Sequence, residues 1–170
     1  MVRSENMHIL NKLCLEMIHY FQNDPKRVQH LITVHSFAKL IAEMEKVDKN
    51  KMLIIESLAY IHDIGIKPAE AKYNSSNGKL QEEEGPEEAR KVLVNLGYQE
   101  TDIERICYII AHHHTYSCID DIDFQILVEA DFLANFYEDN MSKDTILFYY
   151  DKYFKTETGI QICEEVFGIK

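Results

Sequence analysis

The sequence has few of the residues that mark non-globular or cross-linked proteins. It contains 6 Gly, 3 Pro and 4 Cys among 170 residues, and 46% of its residues are hydrophobic. This composition excludes collagen-like, disordered and disulfide-scaffold proteins. The four cysteines form no Cys-x-x-Cys pair and lie among apolar residues, which indicates reduced thiols rather than a zinc ribbon. The length fits one globular domain spanning residues 1–170.

Basic residues are also scarce. The chain has 18 Lys and Arg against 29 Asp and Glu, which gives a formal net charge of −11. Binding to duplex nucleic acid requires a basic surface, so duplex nucleic acid is not expected as a partner. A small phosphorylated molecule remains compatible with this charge, provided that local cations or a metal ion attract it. The sequence does not indicate an oligomeric state.

Long apolar runs are missing as well. The most apolar stretch, residues 52–61, is interrupted by Glu56 and is far shorter than the roughly 20 residues that span a bilayer. Residues 1–10 lack the apolar segment of a signal peptide. We therefore expect no membrane span and a cytoplasmic location.

No segment alternates apolar and polar residues long enough to form a strand, so the sequence predicts an all-α helical bundle. Asp24 and Asp48 precede helical patterns and are expected to cap them. Thr101 and Glu104 have the spacing of a capping box at the start of a later helix.

One long connection remains in this prediction. Residues 65–85 contain a cluster of turn-forming residues, and Pro86 is expected to begin the helix that follows. Connections of this length inside a compact domain are often functional.

Residues of ligand type interrupt three apolar helices. His30 begins one apolar stripe, His62 and Asp63 end a second apolar run, and Asp131 lies in the middle of a third. A buried carboxylate beside a buried imidazole is costly unless a cation lies between them, although a core histidine bonded to its neighbour explains His62 and Asp63 taken alone. Two His and two Asp together suit a divalent metal ion: Mn, Fe, Co, Ni, Zn or Mg.

This ordered set resembles the HD-domain metal-dependent phosphohydrolase superfamily. The segments that carry the resemblance are Arg27-Val28-Gln29-His30, Ala59-Tyr60-Ile61-His62-Asp63-Ile64-Gly65 and Glu129-Ala130-Asp131. Further segments resemble an uncharacterised bacterial branch: Lys72-Tyr73, Gln81-Glu82, Glu84-Gly85-Pro86 and His112-His113-His114-Thr115-Tyr116. The resemblance covers about residues 27–139.

The resemblance implies an HD-domain helical bundle around a buried metal site. It implies four metal ligands: His30, His62, Asp63 and Asp131. Helices in residues 140–170 are expected to pack on this core. Two-metal members have a further histidine where this sequence has Gln81, a poor ligand for a transition metal, so one ion per chain is expected.

Three consecutive histidines, residues 112–114, follow an apolar helix. His113 shares a helical face with Ile106, Ile109 and Ile110, so we expect it to point inward, toward the substrate. The other two could instead meet the free carbonyl groups at the helix end.

The remaining candidate residues would act on a phosphate. Asp63, Glu84 and Lys67 are the predicted catalytic residues, with Glu84, or less favourably Glu82, as a base in the long connection; a solvated acidic run is the alternative. Arg27, one turn before His30, and Lys67 are expected to hold the phosphate, with ordinary surface ion pairs as the alternative.

These features predict a metal-dependent phosphohydrolase that acts on a small nucleotide or a related phosphate ester. Two alternatives remain. An HD-type di-iron oxygenase would require additional histidine ligands, and Gln81 counts against it. A non-catalytic, nucleotide-sensing HD domain would typically have lost metal ligands, whereas all four are present here.

Overall fold

A computed structural model describes the backbone of residues 2–169 and the side chains of residues 8–169. Every regular element in this part of the chain is helical, which confirms the all-α prediction. The α-helices are α1 (Val2–Tyr20), α2 (Pro25–Met44), α3 (Lys49–Ile61), α4 (Ile66–Tyr73), α5 (Gly78–Leu96), α6 (Glu100–Ile110), α7 (Ile122–Glu138), α8 (Lys143–Tyr153) and α9 (Glu157–Phe167). Short 3-10 turns at His62–Gly65 and Tyr116–Cys118 follow α3 and α6.

Two of the three predicted helix caps are confirmed. Asp24 and Asp48 cap α2 and α3, because each side chain accepts hydrogen bonds from backbone N–H groups in the first turn. The capping box predicted from Thr101 and Glu104 is wrong. α6 begins at Glu100, so Thr101 lies inside the first turn, and no side-chain hydrogen bond caps this helix.

The predicted long connection over residues 65–85 is also wrong, because α4 and the first half of α5 occupy it. Asn77 caps α5, and Pro86 lies inside this helix rather than at its start. A proline in a helix interior removes one backbone hydrogen bond. Here Gln81 and Glu82, just before it, are buried where α5 packs against the His62–Gly65 turn, and this packing maintains the helix.

α2, α3 and α7 form the centre of the bundle, where each packs against the other two. α5 packs on α6 and on the His62–Gly65 turn, while α8 and α9 contact α7. The large side chains fully buried between these helices include Leu31, Ile41, Ile55, Leu58, Phe124 and Phe136. Within residues 2–169, no helix is long and apolar enough to cross a membrane. The packing brings one end of α3 between α2 and α7.

Candidate metal centre

Three packed elements bring the four predicted ligands together. His30 lies on α2, His62 and Asp63 begin the 3-10 turn after α3, and Asp131 lies on α7. His30 Nε2 is 3.1 Å from Asp131 Oδ1 and 3.5 Å from Asp63 Oδ2. His62 Nε2 is 3.6 Å from Asp63 Oδ1 and 3.6 Å from Asp131 Oδ1. The ring nitrogens and carboxylate oxygens therefore converge on one centre.

Two histidines at this centre have buried nitrogens that find no hydrogen-bond partner in the described part of the chain. These atoms are both ring nitrogens of His62 and Nε2 of His113. The His62 side chain is 1% exposed, so it is closed off from bulk solvent. An unsatisfied buried polar group costs about 1–3 kcal/mol. A cation bound at the centre would take up nitrogen lone pairs, so this donor set fits a metal ion.

The electrostatics of the centre also favour a cation. Burial alone would lower the pKa of His30, but its hydrogen bond to Asp131 and the charges of Asp63 and Glu138 raise that pKa to about 10. Burial alone would raise the pKa of both aspartates, but the neighbouring histidines hold each pKa below its usual range. Two adjacent ionised carboxylates in a buried site require positive charge, supplied by protonated histidines or by a metal ion.

Among residues 8–169, two overlapping groups of side chains have the geometry to hold an ion. In the first, His30, His62 and Asp63 each offer one ligand atom, and these atoms lie within 4.8 Å of one another. Asp131 adjoins this group through its contact with His30. The second group shares Asp63 and adds two further ligands, His113 and His114. Imidazole nitrogen and carboxylate oxygen suit several divalent transition metals and do not decide among them.

His113 points into the centre from the end of α6. Its ring lies 5.6 Å from the ring of His62, and its Nε2 is 3.7 Å from Asp63 Oδ1. Its Nδ1 donates a hydrogen bond of 2.8 Å to the backbone carbonyl of Ile110. Because a carbonyl only accepts, Nδ1 carries a hydrogen, and Nε2 is the atom that faces Asp63.

A cleft of about 250 Å³ opens beside His30 and Asp63. Arg27 lines this cleft, and its guanidinium is 3.1 Å from Asp24 and 2.5 Å from Glu70. The remaining lining residues are mostly polar or acidic: Asp24, Lys26, Ile66, Asn135, Glu138 and Asp139.

Lys67 and Glu84 have partners away from this cleft. The Lys67 ammonium donates to the backbone carbonyl of Tyr20 and lies 5.1 Å from the centre of that residue's ring. Glu84 lies on α5 rather than in a loop, where it accepts hydrogen bonds from Lys72 and Tyr73. Neither residue lines the cleft or belongs to a ligand group.

Glu82, the less favoured alternative to Glu84, is buried and joins α5 to the histidine segment. Its carboxylate accepts hydrogen bonds from the backbone N–H of His114 at 3.1 Å and from the Thr115 hydroxyl at 2.8 Å. These contacts connect Glu82 to the loop after α6 rather than to the cleft.

Sequence reasoning missed two residues that contact the predicted ligands. Asn135 donates a hydrogen bond of 2.9 Å to Asp131 Oδ1, and Glu138 Oε2 lies 3.0 Å from His30 Nδ1. Both follow Asp131 on α7 at spacings of four and seven residues, which places all three on one helical face. This spacing was the signal in the sequence that could have identified them.

The family follows from a comparison of the whole sequence. The sequence profile of the HD domain matches residues 27–149, well over half of the chain and a span that contains all four predicted ligands. The chain belongs to the HD-domain family. This confirms the resemblance to the HD-domain superfamily. No curated protein matches the sequence significantly.

Solved structures share the fold at low sequence identity. A predicted HD superfamily hydrolase from an uncultured Thermotogales bacterium is 23% identical, with a TM-score of 0.66 over 93% of this chain and 84% of its own. YpgQ of Bacillus subtilis is 18% identical, with a TM-score of 0.67 over 97% of this chain and 89% of its own. A second YpgQ structure, in complex with ADP, is 17% identical, with a TM-score of 0.65 over 97% and 90% of the two chains.

Proposed function

We propose that this HD-domain protein is a metal-dependent phosphohydrolase that acts on a small nucleotide or a related phosphate ester. The ligands of its metal are His30, His62, Asp63 and Asp131. The observation that carries the proposal is the buried His62 ring, whose nitrogens have no hydrogen-bond partner although two carboxylates lie within 3.6 Å of Nε2.

The donor set determines what the site can do. A divalent ion supplies Lewis-acid polarisation of a phosphoryl oxygen and makes water more acidic. Asp63 belongs to both ligand groups, so it is the residue whose loss affects the whole centre. The bond from His113 Nδ1 to a backbone carbonyl turns Nε2 toward Asp63, so the lone pair of Nε2 would serve the second ligand group.

One ion per chain is the proposed stoichiometry. The amide of Gln81 lies beside the second group, with its Oε1 3.5 Å from His114 Nε2. Its Nε2 donates a hydrogen bond of 2.7 Å to the carbonyl of Ser76, which fixes the amide in place. A neutral amide is a weak ligand for a transition metal, so this group binds an ion less tightly than the first.

A small phosphorylated substrate is supported by the cleft and by the net charge. The cleft of about 250 Å³ is at the small end for a ligand site, and its cations are Lys26 and Arg27. Its other ionisable residues are mainly acidic, and the chain carries a net charge of −11, which disfavours a long polyanion. One YpgQ structure contains ADP, so a protein of this fold is known in complex with a nucleotide.

The test combines metal analysis with a substrate panel. Wild-type protein is expected to retain about one divalent ion per chain and to hydrolyse at least one nucleoside phosphate when assayed with Mn, Co, Ni or Mg. Asp63→Ala should lose both the ion and the activity. Asp151→Ala, a change at an exposed position on α8, is the control and should keep both.

Each part of the proposal has its own contrary result. Stoichiometric metal in Asp63→Ala would show that the ligand assignment is wrong. Two tightly bound ions per wild-type chain would overturn the single-ion stoichiometry. A metal-loaded wild type that turns over no phosphate would favour the oxygenase or the nucleotide-sensing alternative.

A further inference from the structure

We propose that Glu138 is a positioning residue for the metal centre: its carboxylate fixes the orientation and the tautomer of His30, so that His30 Nε2 is presented to the ion. This inference rests on the proposed function, because it concerns how one metal ligand is held. It assigns a role to a residue that lies 108 positions from its partner in the sequence.

The two nitrogens of His30 face different partners. Nδ1 lies 3.0 Å from Glu138 Oε2, whereas Nε2 faces the centre, 3.1 Å from Asp131 Oδ1. An ionised carboxylate only accepts hydrogen bonds, so Nδ1 carries the hydrogen that joins it to Glu138. The lone pair available to a metal in the neutral ring is then on Nε2, the nitrogen that points toward Asp63 and Asp131.

The position of Glu138 in its helix argues against a purely local role. It is the last residue of α7, where the helix dipole disfavours a negative side chain. Its side chain is 18% exposed, and its ion-pair partner is His30. A carboxylate at this place does not stabilise its own helix, so its contribution is directed toward the imidazole of α2.

A second side chain on the same face supports this interpretation. Asn135 lies between Asp131 and Glu138 on α7 and donates a hydrogen bond of 2.9 Å to Asp131 Oδ1. One face of α7 therefore supplies a metal ligand, a donor that orients this ligand, and an acceptor that orients the ligand from α2. Such outer contacts commonly set metal affinity, and their loss typically costs about 10–100-fold.

The experiment measures metal affinity and the His30 tautomer. Glu138→Ala is expected to weaken Mn²⁺ binding by about 10–100-fold in calorimetric titrations, and Glu138→Gln, which keeps an acceptor oxygen, should show a smaller loss. In Zn²⁺-loaded wild type, ¹⁵N spectra of the histidine rings should show His30 as a single Nδ1–H tautomer. Glu138→Ala should instead show a mixture of rings bound through Nε2 and through Nδ1, because no carboxylate then holds the Nδ1–H.

Asp139→Asn is the matched control. Asp139 follows Glu138 and lines the same cleft, but it is 52% exposed and pairs with Lys26 at 3.7 Å rather than with a histidine. Asp139→Asn removes the same unit of charge as Glu138→Gln. Because exposed charges are screened, it should change the Mn²⁺ dissociation constant by no more than about threefold.

The possible results separate the two proposals. Wild type that binds Mn²⁺ while both Glu138 variants bind it equally well overturns the positioning role and leaves the proposed function standing. An equal loss in Asp139→Asn and Glu138→Gln also overturns it, because charge alone would then account for the effect. Wild type that binds no divalent ion overturns both proposals. If Glu138→Ala fails to fold, the Mn²⁺ affinity and the histidine spectra of Glu138→Gln, compared with those of wild type, decide the question.

Discussion

Gly65→Ala should destabilise the protein and disturb the metal centre together. Gly65 ends the 3-10 turn that carries His62 and Asp63. A Cβ built at this position would lie 2.4 Å from the backbone oxygen of Gln81 and 2.9 Å from the backbone nitrogen of Gly85. Both atoms belong to α5, and a backbone cannot rotate aside as a side chain can. The alanine therefore requires α5 and the turn to move apart.

The expected magnitude follows from this geometry. Overpacking a well-packed core costs about 1–3 kcal/mol. The backbone of Gly65, with φ of −67°, suits alanine, so the substitution brings no conformational strain and gains about 0.4–1 kcal/mol from a less flexible unfolded chain. Because the close contacts involve rigid helix backbone, we expect a net loss of about 2 kcal/mol. In a chain of this length, that corresponds to a fall in Tm of roughly 4–8 °C.

Calorimetric unfolding of the metal-free protein measures this loss, and Mn²⁺ titration measures its effect on the site. Gly97→Ala is the comparison: Gly97 has a φ of +84° with open space around it, so alanine there costs about 1–2 kcal/mol of backbone strain without a clash. Only Gly65→Ala should also weaken Mn²⁺ binding. Wild-type stability in Gly65→Ala, or unchanged Mn²⁺ affinity despite lower stability, would refute the reasoning.

Two further substitutions test the fold away from the ligands. Glu129 is fully buried, and its Oε1 accepts hydrogen bonds from the backbone N–H groups of Lys155 and Thr156 at 2.7 Å and 3.0 Å. Glu129→Ala leaves these two donors unpaired. It should lower the free energy of unfolding, measured in urea titrations, by about 3 kcal/mol or more. A fall in the free energy of unfolding of less than about 1 kcal/mol would contradict a stabilising role for these hydrogen bonds. Asp48→Ala removes the cap of α3 and should cost about 1 kcal/mol with no change in Mn²⁺ affinity; a change in affinity would show that the cap and the site are coupled.

The sequence was most informative where local chemistry decides the structure. Asp24 and Asp48 act on backbone groups two or three residues away, so their capping roles follow from neighbouring residues alone. The four candidate ligands were recognisable because polar residues on apolar helical faces need partners. The four ligands meet at one point because of the way α2, α3 and α7 pack. The resemblance predicted this arrangement, whereas helical periodicity alone did not.

The error over residues 65–85 has a physical cause. The prediction treated the turn-forming cluster at residues 74–78 as part of one long connection bounded by Gly65 and Gly85. In the structure, the missing Cβ of Gly65 instead allows two backbones to approach closely, since a Cβ there would lie 2.9 Å from the backbone nitrogen of Gly85. A glycine needed for close packing and a glycine needed for a turn are identical in sequence. The two roles differ only in what lies opposite, which is tertiary information.

The contact between Glu138 and His30 is also tertiary information, and contacts of this kind hold the centre together. The ligands come from elements distant in sequence, and the contact between His30 and Glu138 joins α2 to the end of α7. Without an ion, histidine protons must balance the carboxylates, as the raised pKa of His30 indicates. With an ion, its charge can replace these protons, and ligands from α2, the turn after α3 and α7 would share one partner. The metal is therefore expected to stabilise the packing of these elements as well as to activate a substrate, because binding only to the folded chain favours that state.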